Sequence, residues 1–160
     1  MSTKAFTYIV KLLSAREYSE HKLREKLKEK KFPANEIEDA LSEIKARGHL
    51  KEEVYTEARI RGFMNKSYSV NYIRQKLAQE HLVASEETIQ EIFEDNNMSE
   101  EQQIERLARK KIGMKTDLDF DQQSKILRYL ISKGHDFSLS KKVLKSVMGE
   151  NSADFESDAY

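Results

Sequence analysis

The 160-residue chain contains no cysteine, one proline and five glycines. Without cysteine it has no disulfide, no thiolate nucleophile and no cysteine-ligated zinc or iron–sulfur site. A β-sandwich or barrel needs turn residues at about every 8 to 12 positions, and a doubly wound sheet needs glycine-rich turns from strand to helix. Because such residues are scarce, the composition predicts an all-α chain.

Long hydrophobic runs are also missing. Unbroken apolar stretches such as residues 8–10 are far shorter than the roughly 18 residues that indicate a membrane-spanning helix. No basic-then-apolar leader precedes a small-residue cleavage site. We therefore expect a cytoplasmic protein with no membrane contact.

The formal net charge is zero, with 28 basic and 28 acidic residues, but the charges are segregated along the chain. Residues 1–31 and 106–148 are strongly basic, whereas residues 82–105 contain acidic side chains and no basic ones. The last twelve residues, 149–160, are also acidic. Such segregation favours a basic surface that meets phosphate or an acidic protein, with acidic regions that compete for it.

Apolar residues recur at helical spacing almost throughout, with short breaks between the periodic segments. In the first 48 residues the pattern predicts three helices. Ser19 is the predicted N-cap of the middle helix, and Asn35 is the predicted N-cap of the third. Gly48 follows as the expected C-terminal glycine.

The same unit repeats along the chain. A shift of 50 positions aligns residues 18–27 with residues 68–77, including a Tyr-Ser pair, and a shift of 103 aligns Leu23 with Ile126. We predict an elongated, curved array of three-helix repeats followed by an unstructured acidic tail. The predicted repeats are residues 1–48, 49–98 and 99–148, and the tail is residues 149–160.

Four stretches resemble a known family. Residues 12–19 read LLSAREYS and residues 22–27 read KLREKL, while residues 73–77 read IRQKL and residues 126–130 read ILRYL. In this order, on a tandem three-helix repeat, they resemble RecX, the family of regulators of the RecA recombinase. The match covers roughly residues 5 to 148.

The chain departs from the family pattern in four places. His49 stands where the family usually has an aromatic residue after the glycine, and residues 51–52, Lys-Glu, stand where it usually has an acidic pair. Residues 67–69 stand where the family usually has a glycine ahead of the middle helix of the second repeat. His135 stands where the third repeat usually has an aromatic residue.

The resemblance implies a protein that lies in the helical groove of the RecA filament on single-stranded DNA and contacts more than one protomer. It implies restraint of filament growth, ATP hydrolysis and strand exchange, without chemistry or a cofactor of its own. A monomer is the default, since nothing resembles a coiled-coil seam.

Lysine and arginine recur on the helices of successive repeats, and an array that aligned them would form a positive track for phosphate or an acidic protein groove. The alternative is a solvated helix face, since both residues are good helix formers. The predicted partner-binding residues are Lys22, Arg24, Lys26, Arg61, Lys66, Arg74, Lys76, Lys110, Lys125 and Arg128.

Tyrosines are the second candidate for partner contact. They could stack on bases, as in single-strand binders, or pack with a hydrated hydroxyl group. These tyrosines are Tyr8, Tyr18, Tyr68, Tyr72 and Tyr129.

Catalytic and metal-binding patterns are missing from the sequence. The four histidines, His21, His49, His81 and His135, form no i, i+4 pair with one another. No Walker-type loop, nucleophile elbow or dinucleotide fingerprint occurs. We expect no enzymatic activity and no metal site.

Two other functional hypotheses stay open. One is a stand-alone helical module that binds single-stranded or double-stranded DNA, although zero net charge argues against strong autonomous DNA affinity. The other is a helical scaffold for a different partner.

Overall fold

The structure, a computed structural model, describes residues 3–115 and 117–157, which form nine α-helices and no strand. This confirms the predicted all-α class. In chain order they are α1 (Lys4–Ala15), α2 (Glu20–Glu29), α3 (Ala34–Ala46), α4 (Glu52–Asn65), α5 (Val70–Gln79), α6 (Glu86–Asp95), α7 (Glu100–Ile112), α8 (Phe120–Ser132) and α9 (Phe137–Ser157).

The helices form repeated three-helix units, as the sequence pattern predicted. In the first repeat α3 packs against α1 and α2, and in the third repeat α9 packs against α7 and α8. Each of these repeats has its own apolar core because the periodic residues of its helices point inward. The first core includes Ile9, Leu23, Leu27, Leu41 and Ile44, and the third includes Ile104, Leu107, Leu130, Leu144 and Val147.

The chain groups into two compact units. The first comprises residues up to 59 together with 76–84, and the second comprises residues 60–75 together with those from 85 onward. The division falls within α4 and α5, so the middle repeat contributes to both units. The three repeat boundaries at residues 48, 98 and 148 stay a prediction.

Serine side chains begin the middle helices of the first two repeats at equivalent positions. The backbone N–H of Lys22 donates to Ser19 Oγ at 3.1 Å, and that of Tyr72 donates to Ser69 Oγ at 3.1 Å. Each serine satisfies an N–H that has no partner inside its helix. The predicted cap at Ser19 is therefore confirmed.

The predicted cap at Asn35 is wrong. The third helix begins at Ala34, and the N-cap position is Pro33, which makes no side-chain capping bond. Proline already holds φ near the helical value, and its carbonyl accepts the N–H of Ile37 at 3.0 Å. Asn35 consequently lies inside the first turn.

Left-handed residues end the middle helices at matching positions in all three repeats. These residues are Lys31 with φ 63°, His81 with φ 59° and Gly134 with φ 89°.

Gly48, with φ 70°, ends α3 as predicted. Its N–H donates to the carbonyl of Lys45 at 2.9 Å, and the N–H of His49 donates to the carbonyl of Ile44 at 3.2 Å. This paired arrangement is a Schellman motif.

The acidic C-terminal segment differs from the expectation of an unstructured tail. Helix α9 continues to Ser157, so the backbone of residues 149–157 is helical, while residues 158–160 lie outside the described residues. Extending an existing helix adds a hydrogen bond for each residue ordered and needs no new nucleation. Acidic composition alone therefore does not end the helix.

Candidate binding surface

The basic residues predicted on α2 are partly neutralised within the first unit. Arg24 Nε donates to Glu38 Oε1 at 2.9 Å, and Arg24 Nη2 lies 3.2 Å from Glu20 Oε1. The hydrogen bond with Glu38 is the main cause that raises the pKa of Arg24, and the same bond lowers the pKa of Glu38. Exposed Lys22 Nζ lies 3.9 Å from Glu25, and Lys26 is half-buried.

The predicted residues on α4 and α5 lie in different settings. Arg74 is exposed, but its Nη1 lies 3.6 Å from Glu86 Oε2 and its Nη2 donates to Asn71 Oδ1 at 3.2 Å. Arg61 is exposed on α4, whereas Lys76 is half-buried on α5. The guanidinium of Arg74 therefore repeats the internal pairing that Arg24 makes in the first repeat.

The remaining predicted residues, Lys66, Lys110, Lys125 and Arg128, all belong to the second unit and are exposed. Within the described part of the chain, none has a carboxylate oxygen within 4.0 Å. Their charge is consequently available to a partner. These four exposed cations therefore differ from Arg24 and Arg74, which lie near carboxylates of their own chain.

Sequence reasoning missed a cluster in which lysines and tyrosines alternate, which we call the cation–tyrosine ladder: Lys111, Tyr129, Lys133, Tyr68 and Tyr72. Lys111 Nζ lies 4.3 Å from the centroid of the Tyr129 ring. Lys133 Nζ lies 5.6 Å from the Tyr129 centroid and 4.1 Å from that of Tyr68. The rings of Tyr68 and Tyr72 stack with centroids 4.2 Å apart.

One sequence signal for the ladder was available. Tyr68 and Tyr72 are four residues apart, as are Tyr129 and Lys133, and side chains at that spacing are neighbours on a helical surface. The contact between these two pairs, and the approach of Lys111, depend on how α5, α7 and α8 pack.

The candidate stacking tyrosines are engaged within the protein. Tyr18 is only 6% exposed and Arg16 lies over its ring at 4.7 Å, which agrees with the packing alternative. Tyr8 is half-buried, with its ring centroid 6.2 Å from that of Phe32. Tyr68 contacts both Tyr72 and Lys133 within the ladder.

A buried histidine holds the turn that carries Lys133. The side chain of His135 is fully buried, and its Nε2 donates to the carbonyl of Ser67 at 2.7 Å. Its Nδ1 lies 3.3 Å from Glu100 Oε1, which also accepts the backbone N–H of Asp136 at 3.3 Å. Both ring nitrogens therefore face acceptor oxygens, one on the Ser67 carbonyl and one on the Glu100 carboxylate. The hydrogen bond with His135 is the main cause that lowers the pKa of Glu100.

Backbone contacts strengthen the same junction. The N–H of Ser69 donates to the carbonyl of Lys133 at 3.0 Å. Fully buried Gln103 on α7 donates through Nε2 to the carbonyls of Met64, at 3.1 Å, and Tyr68, at 2.8 Å. Ser67 is buried and has φ 66°. The helix ends beside the ladder are therefore tied together by hydrogen bonds.

The described residues contain no group of three or more His, Asp or Glu side chains arranged to hold a metal ion. His21 and His81 stack with ring centroids 3.7 Å apart, and His21 Nε2 lies 3.0 Å from Glu25 Oε1. In the same described ranges, no helix is both long and apolar enough to cross a bilayer.

Comparison with known proteins gives consistent results for sequence and fold. The family pattern described as "RecX, first three-helix domain" matches residues 5–43, and "RecX, third three-helix domain" matches residues 99–144. The protein named "Regulatory protein RecX" from Haemophilus influenzae is 38% identical over 135 residues, which cover 84% of this chain and 88% of the relative. Its namesake from Legionella pneumophila is 30% identical over 145 residues, covering 91% and 95%.

Two solved structures have the same fold. One is described as the crystal structure of regulatory protein RecX, with a TM-score of 0.70 and 21% identity, covering 88% of this chain and 70% of that chain. The other, of RecX from Lactobacillus salivarius, has a TM-score of 0.68 and 15% identity, covering 90% and 94%.

Proposed function

This chain belongs to the RecX family of regulatory proteins, and we propose that it regulates the RecA recombinase by binding the filament that RecA forms on single-stranded DNA. In this proposal the chain acts as a monomer in the cytoplasm, without a cofactor or catalysis. It lies in the helical groove of the filament, bridges protomers, and inhibits filament extension, ATP hydrolysis and strand exchange.

The observation that carries the proposal is the set of exposed cations in the second unit. Among the described residues, no carboxylate lies within 4.0 Å of Lys66, Lys110, Lys125 or Arg128. A partner therefore does not have to displace a carboxylate of this chain in order to bind them. A filament on DNA offers phosphate and acidic side chains, and uncompensated cations raise both the rate and the selectivity of such an encounter.

Paired cations contribute less to the proposed contact. A partner that takes Arg24 must compete with Glu38 and Glu20. Exchange of one ion pair for another gives little net free energy, since exposed pairs are worth about 0–1 kcal/mol each. We therefore assign the main role to the second unit.

The direct test is to titrate the purified protein into RecA assembled on single-stranded DNA and to measure ATP hydrolysis at fixed salt. We expect hydrolysis to fall at or below about one protein per RecA protomer, because each bound molecule bridges protomers. Unchanged hydrolysis at every ratio would contradict the proposal. Binding to the same DNA without RecA is measured in parallel.

A charge-reversal pair identifies the surface. In Lys125→Glu/Arg128→Glu, the concentration for half-inhibition should rise at least about tenfold, the equivalent of 1.4 kcal/mol. The matched control, Lys4→Glu/Lys11→Glu, changes two exposed lysines of α1 that also have no carboxylate within 4.0 Å among the described residues. Equal inhibition by both variants would remove this surface from the proposal.

A further inference from the structure

The lysines of the cation–tyrosine ladder differ from the chain's paired arginines in what lies beside their charge. Arg109 Nη2 lies 3.0 Å from Glu105 Oε1, and Arg24 and Arg74 also have carboxylate partners. Lys111 and Lys133 instead lie over tyrosine rings, and the described residues place no carboxylate oxygen within 4.0 Å of either ammonium group.

An aromatic ring holds a cation without cancelling its charge. The electron-rich face of the ring attracts the ammonium group, but the ring itself is neutral. The lysine chain is therefore ordered before a ligand arrives, and less side-chain entropy is lost on binding. A carboxylate partner would also order the lysine, but it would leave no net charge for an anion.

The local environment of Tyr68 reflects this concentration of positive charge. The pKa of its phenol is lowered chiefly by a hydrogen bond from Lys133, with further lowering by a hydrogen bond from Tyr72 and by the charge of Lys66. Lys133 and Lys66 therefore both contribute positive charge around this phenol. An anion near this point meets the same groups.

The positive charge continues along α8. Lys125 precedes Tyr129 by four residues and Lys133 follows it by four, so the two lysines lie about 12 Å apart along the helix axis. Arg128 is exposed beside Tyr129. The row is held at its C-terminal end by the hydrogen bond from Ser69 N–H to the Lys133 carbonyl. A row of fixed cations suits a linear polyanion better than a single small anion.

We propose that the cation–tyrosine ladder binds the phosphate backbone of single-stranded DNA. It holds the strand by charge and not by base stacking, because Tyr68 is already in contact with Tyr72 and Lys133, and Tyr129 is in contact with Lys111. This inference rests on the proposed function, in which the partner filament supplies single-stranded DNA. It adds Lys111 and Lys133 to the ten residues predicted to bind a partner.

The test uses the full chain without RecA and measures fluorescence anisotropy of labelled oligonucleotides. The probes are an oligothymidylate of about 30 nucleotides and an abasic strand of the same length, at about 50 mM to 200 mM salt. Wild-type protein should bind both within about twofold, because stacking of bases, worth about 1–3 kcal/mol per base where it occurs, is not used.

Removing the ladder charges should change the salt dependence. Lys111→Gln/Lys133→Gln should weaken oligothymidylate binding at least about tenfold at 50 mM salt, and should reduce the slope of log K against log salt by about 1.4, or 0.7 for each phosphate that is no longer neutralised. Lys4→Gln/Lys11→Gln is the matched control and should change the slope by less than about half of that. Lys133→Arg keeps the charge and should bind like the wild type.

Three results would overturn the inference. The first is equal loss of affinity in the ladder and control variants, and the second is no wild-type binding at about 50 mM salt. The third is abasic binding that is weaker by about tenfold or more, which would assign recognition to the bases. In the second case an acidic protein surface would be the remaining partner for the ladder. Since RecA ATP hydrolysis is measured separately, its inhibition by wild-type protein would leave the proposed function standing in each case.

Discussion

Replacing Gly134 by alanine is expected to destabilise the second unit by about 2–5 kcal/mol. Gly134 has φ 89°, a left-handed conformation that costs a residue with a Cβ about 1–2 kcal/mol. A Cβ at this position would also lie 2.4 Å from Ser69 Oγ and 2.5 Å from Tyr72 Cβ. Relieving such close approaches costs typically about 1–3 kcal/mol, and the two costs add because their causes are separate.

The destabilisation can be measured by urea unfolding followed by far-ultraviolet circular dichroism. With a slope of about 1–3 kcal/mol per molar urea, a decrease of about 3 kcal/mol moves the midpoint down by about 1–3 M. Hydrogen exchange locates the effect: the amide of Ser69, which donates to the Lys133 carbonyl, should lose more protection than amides in α1.

Gly62→Ala is the matched control. Gly62 lies within α4, and a Cβ there has no heavy atom within 4 Å outside its own helix backbone and chain neighbours. The substitution should stabilise the protein by about 0.5–1 kcal/mol, because alanine loses less conformational entropy in a helix. A midpoint for Gly134→Ala within error of the wild type, with the expected rise for Gly62→Ala, would refute the close approach of the α8–α9 turn to α5.

Two further predictions concern single side chains. The lowered pKa of Glu100 means that its stabilisation is present above its ordinary value of 4.5 and is lost as pH falls through the folded-state value. The urea midpoints of wild type and Glu100→Gln should therefore differ above about pH 4.5 and converge as the pH falls below it, and a constant gap would contradict the stabilising contact of the Glu100 carboxylate with His135. Ser19→Ala should cost about 1 kcal/mol in urea unfolding, whereas exposed Ser14→Ala should cost less than about 0.5 kcal/mol; equal effects would remove the capping role.

Local features were the most predictable from sequence. Gly48, the predicted C-terminal glycine of the third helix, follows α3 in a left-handed conformation. An N-cap such as Ser19 depends on a hydrogen bond from the residue three positions later, so the local sequence contains most of the information that predicts the cap. The predicted cap at Asn35 was wrong because Pro33, two residues earlier, can also precede a helix. Local composition does not decide between two N-cap candidates that lie so close together.

The binding surface was predicted less completely. Arginine and lysine at helical spacing correctly indicated exposed cations such as Lys125 and Arg128. The same pattern gave no sign that Arg24 pairs with Glu38, fourteen residues away, because that contact crosses from α2 to α3. Whether a cation is neutralised depends on the opposite helix, which the periodicity of its own helix does not describe.

The sequence by itself determined the all-α class, the three-helix repeat and the family, because these depend on apolar periodicity, on short-range capping and on ordered motifs along the chain. Only the tertiary structure decided which cations have a carboxylate partner within the chain. Lys133 and Tyr68 are 65 residues apart in sequence, yet the ammonium group lies 4.1 Å from the ring centroid. Coulombic and cation–π attractions depend on distance in space, so the packing of α5, α7 and α8 creates the ladder.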